Sequence, residues 1–144
     1  MTRERVLRFL PERGVSRRVR ADARSAAAAL GAVPERCDVL ALIVDELTSN
    51  AIEHGASYRV RGEELVIRIG AAASKLVLDF LDPEMPDERV EQLRGAIRVA
   101  SEGRPSLESE RGRGLFLLSV FLHDLRVEVA EGGGLHLSGT LSMT

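Results

Sequence analysis

The chain has 144 residues, of which 44% are hydrophobic and 29% charged, and this fits one globular domain over residues 1–144. A net charge of −2 and an aromatic content of 3% argue against direct nucleic-acid binding, because no row of stacking aromatics accompanies the arginine-rich first quarter. No apolar run approaches the roughly 18 residues of a membrane span. No secretory signal is recognisable, so we expect a cytoplasmic protein that does not enter the membrane.

The spacing of apolar residues predicts helices where it has a helical period and strands where it alternates. Gly31 ends one expected helix and Pro34 opens the next. Helices and antiparallel strands are segregated, which indicates an α+β fold, a two-layer α/β sandwich with helices on one sheet face. In chain order we expect a strand at 5–10, helices at 16–30 and 34–55, strands at 65–69 and 76–82, a helix at 87–100, a loop at 102–113, a helix from 115, and a hairpin of strands 125–130 and 135–141.

The helix expected at residues 34–55 carries two oxygen-bearing side chains beside its apolar surface. Glu46 and Asn50 are four positions apart, so they lie one turn apart on a single face. The apolar run 39–44 precedes them, which places the pair at the edge of a core rather than in open water. A carboxylate and a carboxamide so placed suit Mg²⁺, which takes oxygen ligands and shares them with substrate phosphates. The alternative is a helix whose last turns surface and become polar.

A glycine pair precedes the last expected helix. Gly112 and Gly114 lead into an apolar stretch, and we expect a turn that exposes backbone N–H groups beside the positive end of the helix dipole. Such a turn favours anionic phosphate, although glycines before a helix often serve the turn alone. The segment 102–113 is polar, contains glycine and proline and has no period, so we expect a mobile loop that covers bound phosphates.

Taken together, the two motifs resemble those of the GHKL (Bergerat-fold) ATPases, and most closely those of the anti-sigma-factor serine/threonine kinases of bacterial partner-switching systems. Glu46, Asn50 and His54 match the N-box of that family, and residues 112–118 match its second glycine box. The resemblance implies a histidine-kinase-like ATPase domain with helices on one face of a mixed, mostly antiparallel sheet. We assign His54 to structure, because a histidine near a helix end commonly caps carbonyl groups.

The middle motif of the family, Asp-x-Gly-x-Gly, corresponds to residues 82–86 and follows the strand expected at 76–82. Asp82 is present, but Glu84 and Pro86 stand at both glycine positions. A carboxylate near phosphates would repel them, and proline removes a backbone donor. This departure from the family pattern bears on whether the nucleotide is still bound.

The resemblance implies that ATP and Mg²⁺ are the cofactors and assigns a role to each matching residue. Asn50 would ligate Mg²⁺ and thereby bind the nucleotide, and Glu46 would be the catalytic group that orients or activates the attacking hydroxyl. Asp82 would accept a hydrogen bond from the adenine amino group. The remaining nucleotide-binding residues implied in this way are Gly112, Arg113, Gly114 and Leu115.

Two functions remain open at this point. The first is an ATP-dependent serine/threonine protein kinase that phosphorylates a small anti-sigma-factor antagonist and otherwise sequesters a sigma factor, acting as a homodimer. The second is a non-catalytic regulator that keeps the GHKL fold and a protein-binding surface but has weakened or lost ATP binding. Glu46, Asn50 and the late glycines favour the kinase, whereas Glu84 and Pro86 favour the regulator.

Overall fold

The computed structural model describes residues 3–102 and 110–144, with the side chains of residues 110 and 111 excepted. A short 3-10 turn at Ala56–Tyr58 follows the second helix. Within the described ranges the strands are β1 (Arg3–Phe9), β2 (Leu65–Ala72), β3 (Lys75–Asp82), β4 (His123–Val129) and β5 (Leu135–Ser142). The helices are α1 (Ser16–Ala29), α2 (Pro34–Gly55), α3 (Asp87–Ser101) and α4 (Glu110–Phe121).

The strands form one sheet in the order β1-β2-β3-β5-β4, and every neighbouring pair is antiparallel rather than mixed. Register places Ile67, Phe80 and Leu137 opposite one another in a row across the three central strands. All three side chains are buried. Because side chains alternate between the two faces of a strand, this row and its equivalents two residues away form one apolar face.

The helices cover that apolar face. α1 packs against α2, α3 packs against α4, and α2 also contacts α4. Pro34 begins α2 at a position where a missing N–H costs nothing. Leu40, Ile43 and Val44 of α2 are fully buried, as its apolar sequence requires. The two-layer α/β sandwich expected from the sequence is confirmed.

The start of α4 corrects the expected turn at the glycine pair. α4 begins at Glu110, so Gly112 and Gly114 lie inside a helix rather than in a turn before it. The loop expected at 102–113 is therefore wrong for residues 110–113, and residues 103–109 lie outside the described part of the chain. Glycine normally weakens a helix; at Gly114 a tertiary contact, described below, requires it.

Within the described ranges, no helix is both long enough and apolar enough to cross a membrane.

Candidate functional site

A cavity of about 440 Å³ opens between α2 and the beginning of α4. Glu46, Asn50 and His54 line it, because their spacing of four residues keeps them on one face of α2. Glu46 and Asn50 are half-buried, in agreement with a place at the edge of the core. The described residues that line the cavity are Glu46, Leu47, Ser49, Asn50, Glu53, His54, Leu93, Arg113, Gly114, Leu115, Leu117 and Leu118.

The two helices meet where Gly114 faces Glu46. A methyl group built on Gly114 would lie 3.0 Å from the Glu46 Cδ atom and closer still to Oε2. Only glycine therefore lets the α4 backbone approach the carboxylate in its present position. Gly114 is thus needed for close packing, and the carboxylate is held directly against the first turns of α4.

A narrow cleft continues from this cavity towards the 3-10 turn. Its volume is about 20 Å³, and it shares Asn50, His54 and Leu93 with the larger cavity. Tyr58 and Met85 lie at its far side. A site of this size has room for one or two water molecules, since one water occupies roughly 10–15 Å³ on this measure.

Asp82 is fully buried at the end of β3, and its carboxylate accepts four hydrogen bonds. Oδ2 receives the Tyr58 hydroxyl at 2.9 Å and Nη2 of Arg59 at 2.7 Å. Oδ1 receives Nη1 of Arg59 at 2.9 Å and the Glu84 backbone N–H at 3.2 Å. Such a bidentate pair is the strongest form of arginine–carboxylate contact.

Asp82 helps to keep its neighbours Arg59 and Tyr58 protonated. Burial alone would lower the pKa of the Arg59 guanidinium, but hydrogen bonding to Asp82 and the charge of that carboxylate outweigh it, so the pKa is raised. Burial, followed by the charge of Asp82, raises the pKa of the Tyr58 hydroxyl. Both groups therefore stay protonated and remain donors at any ordinary pH.

Glu84, which stands at a glycine position of the family motif, holds the neighbouring loop. Its Oε1 accepts the backbone N–H groups of Arg61 and Val60, the latter at 3.0 Å. The Arg61 N–H is the main reason that the pKa of Glu84 is lowered, against the opposing effect of burial, with Val60 adding to it. Pro86 occupies the N-cap position of α3 in an extended conformation. Glu84 and Pro86, the two departures from the family motif, therefore each have a structural role.

The structure brings together some of the predicted site residues and separates others. Glu46 and Asn50 face the same cavity as three residues from the second motif, Arg113, Gly114 and Leu115. Gly112 is buried in the first turn of α4 but is not among the described residues that line the cavity. Asp82 is not among them either, because Arg59 and Tyr58 enclose its carboxylate.

Sequence reasoning missed two kinds of residue. Glu53 lines the cavity, and its spacing from Glu46 and Asn50 on α2 could have shown this. Arg59 pairs with a carboxylate 23 residues away in the chain, and no local pattern points to that partner. The only hint was Glu84, a buried acid where the family motif has glycine.

The cavity fits a magnesium-bound phosphate chain. Mg²⁺ is commonly held by one or two protein oxygens together with substrate phosphates and water. Asn50 and Glu46 offer such oxygens, and Arg113 offers a cation for phosphate. No cluster of three or more His, Cys, Asp or Glu side chains that could hold a metal by itself occurs in the described ranges. An adenine amino group at Asp82 does not fit, because the carboxylate is enclosed.

Residues 10–140 match the family model of the histidine kinase-like ATPase domain, a match that covers most of the chain. The chain belongs to the histidine kinase-like ATPase family. The observed two-layer sandwich is consistent with that family, which is the GHKL ATPase family of the sequence motifs. Membership in a histidine kinase-like ATPase family implies ATP binding, typically with Mg²⁺. No curated protein matches the sequence significantly.

Proposed function

We propose that the protein is an ATP-dependent serine/threonine protein kinase that acts as an anti-sigma factor in a bacterial partner-switching pathway. The observation that carries the proposal is the cavity in which Glu46 and Asn50 of α2 face Arg113 and Gly114 of α4. It combines oxygen ligands, a carboxylate and a cation, which are components that phosphoryl transfer requires.

The chemistry follows from the position of each group. Bound Mg-ATP supplies an activated phosphoryl group whose charge the metal partly neutralises. The Asn50 side-chain oxygen would hold the metal at the edge of the core. Glu46 orients the attacking serine hydroxyl and accepts its proton. Arg113 stabilises the negative charge that develops on the phosphoryl oxygens.

The packing of Gly114 supports the role assigned to Glu46. Most of the gain from a general base depends on its being held within about an ångström of the reactive geometry. The α4 backbone restricts the carboxylate because it passes directly beside it. Glu46 is also half-buried, so it is partly shielded from solvent that would otherwise weaken its interactions.

A second function is favoured by one observation, namely the enclosed Asp82 carboxylate. If the protein needs a free Asp82 to bind nucleotide, it would be a non-catalytic regulator that keeps the fold and binds partners. Glu84 and Pro86 are built into the loop between β3 and α3, which also agrees with that function. The two functions differ in whether the protein transfers phosphate.

The partners are part of the proposal: a sigma factor, a phosphorylatable antagonist protein and a second copy of the chain, in the cytoplasm and without direct contact to nucleic acid or membrane. They are named because the sequence motifs resemble those of anti-sigma-factor kinases. Exposed arginines on α1, among them Arg17 and Arg18, suit an acidic protein surface. Sedimentation analysis with and without the antagonist measures both the dimer and the complex.

The test is transfer of labelled phosphate from Mg-ATP to a serine of an antagonist protein. Glu46→Gln keeps the size of the side chain but removes the base, so transfer should fall by roughly 10²–10⁴-fold while ATP binding persists. Glu35→Gln, an exposed change at the other end of α2, is the matched control and should transfer normally. A wild-type protein that transfers no phosphate and binds Mg-ATP weakly or not at all would favour the non-catalytic regulator instead.

A further inference from the structure

We infer that Arg59 determines the ligand specificity of the cavity. Because Arg59 is bound to the Asp82 carboxylate, the base of a bound nucleotide stays outside. The cavity therefore binds a magnesium-bound triphosphate chain whatever base is attached. The inference rests on the proposed function in one respect, since it requires the cavity to bind a magnesium triphosphate. It departs from the family resemblance, which assigned Asp82 to adenine.

The Asp82 carboxylate is already saturated with hydrogen bonds. An ionised carboxylate has about four lone-pair positions for hydrogen bonds. Asp82 already accepts four, two on each oxygen, from Tyr58, Arg59 and the Glu84 backbone. A base amino group offers one hydrogen bond from a neutral donor, whereas Arg59 offers two from a charged donor. The exchange would replace stronger contacts with a weaker contact.

Arg59 is packed in place beside Asp82. Its side chain is only 12% exposed, and Nη2 also donates to the Ala51 carbonyl at 3.1 Å, near the end of α2. The guanidinium lies 4.9 Å from the centre of the Tyr58 ring, within reach of a cation–π contact. A methyl group on Gly55 would come within 2.5 Å of Nη2, so glycine at that position accommodates the arginine.

The cleft between the cavity and Tyr58 is too small for the base of a nucleotide. The cleft that runs from the cavity towards Tyr58 holds about 20 Å³, against about 440 Å³ for the cavity itself. A bicyclic purine cannot enter a cleft that accommodates one or two water molecules. A triphosphate chain with its metal needs only the larger cavity, where Asn50 and Arg113 lie.

The chemistry of purines makes the inference measurable. A carboxylate that faces the 6-position of a purine prefers adenine, whose amino group donates there, to guanine, whose carbonyl oxygen at that position would be repelled. One such hydrogen bond to a charged acceptor corresponds to about tenfold or more in affinity. An enclosed Asp82 gives no such preference. Inorganic tripolyphosphate, which has no base, should then also bind.

The test is calorimetric titration of the wild-type protein with Mg-ATP, Mg-GTP and magnesium tripolyphosphate. We expect the affinities for the two nucleotides to agree within about threefold, because the enclosed Asp82 carboxylate cannot supply the roughly tenfold preference for adenine. Tripolyphosphate should compete with both nucleotides. A preference for ATP of about tenfold or more over GTP would overturn the inference and leave the proposed kinase intact. If none of the three ligands binds, the proposed function fails and the inference falls with it.

A second variant tests Arg59 itself. Arg59→Ala frees the Asp82 carboxylate and removes the cation–π contact that holds Tyr58 at the cleft, so the cleft can widen and the folded variant should gain about a tenfold preference for ATP over GTP. A folded Arg59→Ala protein that remains indifferent to the base would overturn the role of Arg59. If this variant does not fold, the ratio of the ATP and GTP affinities of the wild-type protein is the deciding measurement.

Discussion

Replacing Gly114 with alanine should separate stability from catalysis, because it changes one contact between α4 and the Glu46 carboxylate. The new methyl group would come within 3.0 Å of Glu46 Cδ and closer to Oε2, so the carboxylate must retreat by about 1 Å. Oε2 is the far end of a flexible side chain and can move without displacing the helix.

The expected energies nearly cancel in the folding equilibrium. Alanine stabilises a helix interior by about 1 kcal/mol relative to glycine. Forcing Glu46 away from its preferred rotamer costs about 0.5–1.5 kcal/mol. We therefore expect the free energy of unfolding of Gly114→Ala to stay within about 1 kcal/mol of the wild-type value. Phosphoryl transfer should fall by up to about 10²-fold, because the base is misplaced by about 1 Å.

Gly95→Ala is the matched control, since Gly95 lies inside α3 and a methyl group there meets nothing within 4 Å. It should raise the free energy of unfolding by about 0.5–1 kcal/mol and leave transfer unchanged. Urea titration measures stability and labelled phosphate measures transfer. Wild-type transfer by Gly114→Ala would refute the argument that α4 positions Glu46. A loss of stability above about 3 kcal/mol would show that the Glu46 carboxylate cannot move away from the new methyl group.

Three further predictions concern Asp82 and the residues around it. Arg59→Ala should cost about 3–5 kcal/mol of stability in urea titrations, because it leaves the Asp82 carboxylate buried without its cation, and wild-type stability would contradict this. Gly134→Ala should be more destabilising than Gly133→Ala. Both glycines have positive φ, which costs about 1–2 kcal/mol for alanine, but only at Gly134 would a methyl group come within 2.6 Å of the Asp82 carbonyl oxygen. Equal losses in thermal unfolding would show that the contact is unimportant. Glu84 has a folded-state pKa below its ordinary value of 4.5, so its contribution to stability is present above about pH 4.5 and is lost as the pH falls through the folded-state value. In the Glu84→Gln variant, the free energy of unfolding should fall less steeply between about pH 7 and about pH 3, as measured by urea titrations at each pH. If the free energy of unfolding depends on pH as steeply as in the wild-type protein, Glu84 is not the source of that dependence.

Much of the fold could be predicted because its signals are local. The alternation Leu65, Ile67, Ile69 marks β2, and the register places those residues on the buried face. The spacing of Glu46 and Asn50 is equally local, so their shared face on α2 followed from helix geometry.

The remainder depends on contacts between distant parts of the chain. Gly112 and Gly114 have the sequence appearance of a turn, yet α4 includes both. The close contact at Gly114 is with Glu46, which lies on a different helix far earlier in the chain. The enclosure of Asp82 likewise depends on Arg59, which no periodicity relates to β3. Motif matching placed Asp82 correctly after a strand but could not show what binds to it.

The most direct test of the account is thermal unfolding of the wild-type protein and Asn50→Ala, each with and without millimolar Mg-ATP. A ligand at about one hundred times its Kd stabilises a folded protein by about 2.7 kcal/mol, which is several degrees in a domain of this size. We predict that Mg-ATP raises the melting temperature of the wild-type protein and that Asn50→Ala folds but loses the magnesium-dependent part of the shift. No shift in the wild-type protein, or an equal magnesium-dependent shift in both, would contradict a magnesium triphosphate site between α2 and α4.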